Sequence, residues 1–221
     1  MGESSAVVYR SMRWSDLEDV VGRFDQMWGD DVPTAGSPVS LLMSRYYVLH
    51  YLAPSTHCEV ATLDGRFMGV LLTRVVGDPV AFPQAEGERQ RAADELKTTA
   101  IGAEGLRYAE YWRDVEIDLE RSAEIGRSAQ AELELFLVAA GARGHGIGGH
   151  LWGEAMRHLA SRSVGRYYLH TDSACDVGYY EAHGLSRDAE RPSAEHPEDV
   201  RAIGSALDDL YIYAGDVPAA K

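Results

Sequence analysis

The chain has 221 residues of ordinary globular composition, which bounds it to a single domain, residues 1–221, with one core. Its formal net charge of −14 argues against a nucleic-acid partner or an anionic membrane surface, since both would be repelled; a cationic amine would be attracted, although acidity also simply keeps a protein soluble. No apolar run approaches the ~20 residues of a membrane span, and two cysteines, Cys58 and Cys175, without an apolar leader predict a cytoplasmic setting and no disulfide.

Ala6 to Met12 reads as a short strand. Ser15 with Glu18 three residues on is a capping-box signature for a helix whose inner face carries Leu17, Val20, Val21, Phe24 and Met27 or Trp28. After a loop from Gly29 to Pro38, apolar and tyrosine residues recur at helical spacing from Val39 to Leu52, until Pro54 stops them. Cys58–Leu63 and Phe67–Val76 are strands joined by Asp64-Gly65, a strong hairpin turn. From Gly77 to Gln130 the chain turns polar and helix-rich. Ala85–Lys97 is heavily charged, and Leu106, Tyr108, Ala109, Tyr111, Trp112, Val115 and Leu119 mark a second helix with an aromatic side.

The most informative stretch follows. Leu133, Leu135 and Leu137 alternate with Glu132, Glu134 and Phe136 as a strand, and five residues after Val138 comes Arg143-Gly-His-Gly-Ile-Gly-Gly at the start of a helix over Ile147–Arg162. Glycines 144, 146, 148 and 149 let successive N–H groups converge ahead of the helix's positive end, a cradle for a pyrophosphate. A P-loop is rejected because Ile147 stands where its lysine belongs. A dinucleotide fingerprint is met literally by Gly144, Gly146 and Gly149, but the strand does not run directly into the first glycine, and too little chain follows Asp172 for a second mononucleotide half. Tyr167–Thr171 is the next strand, parallel to Leu133–Val138 because a helix crosses between them. A short helix bearing Tyr179 and Tyr180 comes next, then a polar loop over 186–205 with a short strand at its start, and a closing strand over Leu207–Ala214.

These residues resemble the GCN5-related N-acetyltransferase (GNAT) family. Its (Q/R)-x-x-G-x-(G/A) pattern is matched by Arg143-Gly-His-Gly146-Ile-Gly148 with Val138 at the usual distance, and its Y-x-x-x-G-F arrangement by Tyr180-Glu-Ala-His-Gly184-Leu185. Leu185 replaces the customary phenylalanine, and Ala139-Ala140 stand where a proline often follows the valine. The resemblance implies a mixed α/β (α+β) fold: a mostly antiparallel twisted sheet with a splayed parallel central strand pair and flanking helices. It implies acetyl-CoA as co-substrate, its pyrophosphate held by Arg143, Gly144, His145, Gly146, Ile147, Gly148 and Gly149 and its pantetheine arm along the backbone of Phe136, Leu137 and Val138.

Acyl transfer to an amine needs a neutral amine, a donor for the oxyanion and a proton for the leaving thiolate. The resemblance implies the Val138 N–H as that donor and Tyr180 as the proton source, with Glu134 or Glu132 as a candidate base. The family's second helix region makes Tyr46, Tyr47, His50 and Tyr51 acceptor-site candidates. The segment at about 78–130, longer than the family's usual connection between the third and fourth strands, is an insertion that walls the acceptor pocket; a homodimer contact or a satellite core is the alternative. Eight histidines without ligand spacing predict no metal. The expected function is direct transfer of an acetyl group to a primary amine of a small molecule or peptide. The alternatives are a non-catalytic acyl-CoA-binding module and a dinucleotide-binding oxidoreductase.

Overall fold

The structure, a computed structural model, describes residues 6–142 and 144–218. Its frame is a seven-stranded sheet of β1 (Val7–Ser11), β2 (His57–Leu63), β3 (Arg66–Val75), β4 (Ala131–Val138), β5 (Arg166–Asp172), β6 (Ser186–Arg191) and β7 (Leu210–Asp216), ordered β1-β2-β3-β4-β5-β7-β6. Neighbours are antiparallel except β4 and β5, which run parallel. The helices are α1 (Leu17–Trp28), α2 (Ser40–Leu52), α3 (Ala85–Leu96), α4 (Ala100–Ala123), α5 (Ile125–Ser128), α6 (Ile147–Ser161), α7 (Val177–Ala182) and α8 (Glu198–Ile203). The architecture is the mixed, mostly antiparallel one with a parallel central pair that the motifs imply. Asp64 and Gly65 both take positive φ, 52° and 75°, the geometry a tight β2–β3 hairpin demands.

The sheet is covered on both faces. Against one face α6 packs Ile147, Leu151, Trp152 and Leu159 onto Leu71, Leu133 and Tyr167. Against the other, α1 and α2 pack Val20, Val21, Leu49 and Leu52 onto Val60, Val70, Leu135 and Leu137. The long helix α4 extends this second layer, setting Val115 and Leu119 against Tyr168 and Ile212. Its N-terminal half joins α3 and α2 around Met43, Tyr46, Leu96 and Leu106. The approach is close at Gly105, where a Cβ would lie 2.7 Å from the Thr34 methyl and 3.1 Å from the Met43 sulfur. Helices α3 to α5 thus carry a satellite core and at the same time stand over the sheet.

Two local expectations are corrected. Ser15 does not cap α1: a 3-10 turn over Trp14–Asp16 precedes the helix, and the Asp16 carboxylate accepts the Arg13 N–H at 2.7 Å while holding Arg10 at 2.6 and 2.8 Å. A carboxylate with an arginine partner is a stronger acceptor than a hydroxyl, and Glu18 pairs instead with Arg45 of α2. The alternation of β4 also breaks. Leu72 faces Leu135 and Thr73 faces Leu133, so Glu134 is the extra residue of a β-bulge. Leu133 therefore joins Phe136 and Val138 on the α6 face, and Leu135 and Leu137 lie on the α1–α2 face.

Candidate functional site

Three features converge where β4 and β5 part. The strands pair only at Ala131–Tyr167 and Glu132–Tyr168, after which β4 continues beside β3 alone. The Ala139 N–H donates to the Met68 carbonyl on β3 at 2.9 Å, so by alternation along the strand the Leu137 amide faces β3, and those of Phe136 and Val138 face the gap. Leu137, wholly buried, belongs to the sheet rather than to the gap.

The second feature is the glycine turn leading into α6. Gly144 and Gly146 take φ of 79° and 67°, the left-handed region that favours glycine, and a Cβ at either would meet open space. Its N-cap, Gly146, has no side chain to cap α6, and among the described residues the first-turn amides of Ile147, Gly148 and Gly149 face an anion's place. The Ile147 side chain is buried and anchors the helix. Gly148 lies under Phe136, Val138 and the Tyr179 hydroxyl, which places the turn next to the open edge of β4. His145 is exposed in this turn, its amide donating to Ala142 at 3.2 Å. Arg143 lies outside the described residues. On α7, Tyr180 lines the gap, packed against Trp152 and Tyr213, and burial raises its phenol pKa. Tyr179, read from the sequence only as a neighbour, has a buried hydroxyl with no partner among the described residues.

The third feature is a cavity of about 470 Å³ between the parted strands and the helices above them. Its floor is Glu132 to Phe136 of β4 with Leu169 to Asp172 of β5, and its roof is Tyr47, His50 and Tyr51 of α2 with Tyr108, Trp112 and Glu116 of α4. Of the four α2 residues singled out from the sequence, Tyr46 turns away into the α3–α4 core.

A charge network that sequence reasoning missed lies in the floor. Arg74 of β3 donates to Glu134 at 2.6 Å and bridges to Glu132, and its guanidinium also reaches the Tyr168 hydroxyl at 3.1 Å. That hydroxyl lies 2.8 Å from Glu132 and 3.0 Å from Glu120 of α4, and Glu120 holds His170 Nε2 at 2.9 Å. Burial works against a charged His170, but the Glu120 hydrogen bond and the carboxylates of Glu116, Glu132 and Glu120 outweigh it, raising its pKa to about 9. Burial, reinforced by the Glu132 charge, pushes the Glu134 carboxyl well up against the pull of Arg74. Arg74 did leave a sequence signal, as the one charge in the apolar run from Phe67 to Val76. Donor atoms of Glu120, Glu132 and His170 lie within 4.8 Å of one another, but they are engaged with each other, Arg74 and Tyr168, which makes them a hydrogen-bonded ion network. Cys175 also lines the cavity; burial raises its thiol to about 11, so it is no nucleophile at neutral pH.

The profile of the Acetyltransferase (GNAT) family matches residues 24–185. In sequence, no curated protein matches the chain. Among solved structures it is similar to the mosquito arylalkylamine N-acetyltransferase like 5b, at 17% identity over 96% of this chain and 100% of that one, with a TM-score of 0.59. It is also similar to arylalkylamine N-acetyltransferase 2 from Aedes aegypti, at 14% identity over 96% and 99% of the two chains, TM-score 0.59. A third is the ribosomal-protein-S18-alanine N-acetyltransferase of Escherichia coli, at 14% identity over 98% and 97%, TM-score 0.55. At such identities the likeness is one of fold. With the family match spanning most of the sequence, the parted strands and the glycine turn have their explanation: the chain belongs to the GNAT acetyltransferase family.

Proposed function

We propose that the protein transfers an acetyl group from acetyl-CoA directly to a primary amine. The observation that carries this reading is the continuity of three surfaces: the uncapped start of α6, the outward amides of Phe136 and Val138, and the cavity beyond them. The first suits a pyrophosphate, the second an arm that hydrogen-bonds like an added strand, and the third an acceptor. The buried hydroxyl of Tyr179 beside Gly148, without a partner among the described residues, offers one more donor to the same arm. Of the motif residues, Gly144, Gly146, Gly148 and Gly149 serve by leaving backbone bare, while the His145 amide, donating to the Ala142 carbonyl, shapes the turn.

In the reaction, Glu134 takes the proton of the incoming ammonium, directly or through water, with Glu132 beside it in the same network. The freed nitrogen attacks the thioester carbon, the Val138 N–H steadies the oxyanion, and the carbon–sulfur bond breaks. A phenol held above its ordinary range keeps its proton, so Tyr180 assists the departing thiolate with a hydrogen bond; the proton that completes the thiol balances one the amine has lost. The cavity's aromatic walls and surplus of carboxyl groups favour a cationic acceptor.

The test is thiol release from acetyl-CoA across a panel of amines, polyamines, aminoglycosides and peptides, with coenzyme A binding measured alongside. Gly146→Asp should weaken coenzyme A at least about tenfold, since it puts a strained, negatively charged residue at the anion's place. Unchanged affinity would remove the glycine turn from donor binding.

A further inference from the structure

Resting on that reading, we propose that the acceptor is a dication: one nitrogen reacts above the β4 floor, and a second, non-reacting cationic head is held by Glu116 of α4 in a box formed with Trp112, Tyr47 and Tyr51. Glu116 accepts the Trp112 indole N–H at 3.0 Å, and among the described residues it forms no ion pair. Arg113 on the same helix gives its guanidinium to Asp114 at 3.4 Å. His50 on this wall is no competing cation, because burial lowers it to about 4. Glu116 thus faces the cavity with no cation in contact; burial raises its pKa, and the charge of His170 opposes the rise.

The floor has its own balance. Of the carboxyl groups that line the cavity, Glu120, Glu132 and Glu134 meet Arg74 or His170, whereas Glu116, like Asp31, Asp172 and Asp208, has no ion pair among the described residues. An entering diamine brings one positive charge to the floor and one to Glu116. One is given up when its nitrogen loses a proton beside Glu134, and the other stays with Glu116 through the reaction. The two anchor points lie on different walls, helix and sheet, which asks for an apolar spacer between the two nitrogens. An aryl head fits the box less well, since its π face would press on a carboxylate without a counterion. An ammonium or guanidinium satisfies the carboxylate and the ring faces together.

The experiment compares thiol release from acetyl-CoA with 1,5-diaminopentane, pentan-1-amine and 2-phenylethylamine, for the natural protein, Glu116→Gln and Trp112→Phe, with calorimetric titration of the diamine into each. The diamine should exceed pentan-1-amine in kcat/KM by about tenfold or more, a cation–π plus carboxylate effect. Glu116→Gln should bring that ratio towards one, mainly through KM, and weaken diamine binding about tenfold; Trp112→Phe, which keeps a ring, should retain the preference. Either monoamine matching the diamine, or a ratio unmoved by Glu116→Gln, overturns the proposal. If no amine releases thiol, the transferase reading fails by itself and binding decides the anchor: weaker diamine binding by Glu116→Gln supports it, while equal affinity, or none for either protein, overturns it.

Discussion

At the scale of single residues, chemistry here depends on how far burial moves a proton's affinity and on what opposes it. Glu134 sits in the bulge of β4 with burial and Glu132 raising its pKa and Arg74 lowering it, and the net shift is upward. A base acts deprotonated, so kcat/KM should fall as pH drops through this raised value. Glu134→Gln should abolish that acidic limb and lower kcat by about 10²- to 10⁴-fold; pH–rate profiles of the two proteins check this, and an unchanged limb would pass the role to Glu132 or to water. The sequence named both glutamates but not Arg74, Tyr168, His170 or Glu120. The reason is distance along the chain: Arg74 precedes its two partners by 58 and 60 positions, and no local period links them.

At the scale of elements, the position of α4 decides whether the cavity has a roof. Besides its apolar seam, it is tied to the far edge of the sheet through Asp199 of α8, which is wholly buried. Asp199 accepts Arg191 of β6 at 2.7 and 2.8 Å and the Tyr111 hydroxyl of α4 at 2.7 Å. Removing the carboxylate strands a largely buried guanidinium, so Asp199→Ala should cost about 3–5 kcal/mol in denaturant unfolding. The arginine hydrogen bond holds the Asp199 carboxyl below its ordinary range. Its contribution is therefore complete above the unfolded carboxylate value and is lost as pH falls, the sign that an acid-unfolding series on the natural protein and Asp199→Ala should show. Sequence periodicity marked the aromatic side of α4, and the structure divides that side between core, cavity and this tether. The region after 186, read as a polar loop with a short strand at its start, holds that strand as β6 and, in place of the rest of the loop, the helix α8; their polar residues are in place because they pair with one another.

At the scale of the whole molecule, net charge and cavity charge have the same sign. A chain of net charge −14, with a surplus of carboxyl groups in the cavity proposed for the acceptor, draws cations from a distance. Going from about 0.1 M to about 1 M salt contracts the screening length from about 10 Å to about 3 Å. The KM for a cationic acceptor should therefore rise several-fold while the affinity for anionic coenzyme A does not fall in parallel; parallel weakening would mean that long-range attraction plays no part. No helix among the described residues is long and apolar enough to cross a membrane.

What the sequence determined by itself is local: the order strand, glycine turn, helix; the Asp64-Gly65 hairpin; the offset of Tyr180 from Gly184; the aromatic side of the long helix. Each rests on backbone angles or periods set by near neighbours, so each can be read without the fold. Tertiary structure alone decided which face each β4 side chain takes once the bulge at Glu134 shifts the register, where β5 parts from β4, and which carboxyl groups of the cavity meet a cation. Those outcomes depend on pairing and charge balance among residues brought together from β3, β4, β5, α2 and α4, and no stretch of chain contains that sum.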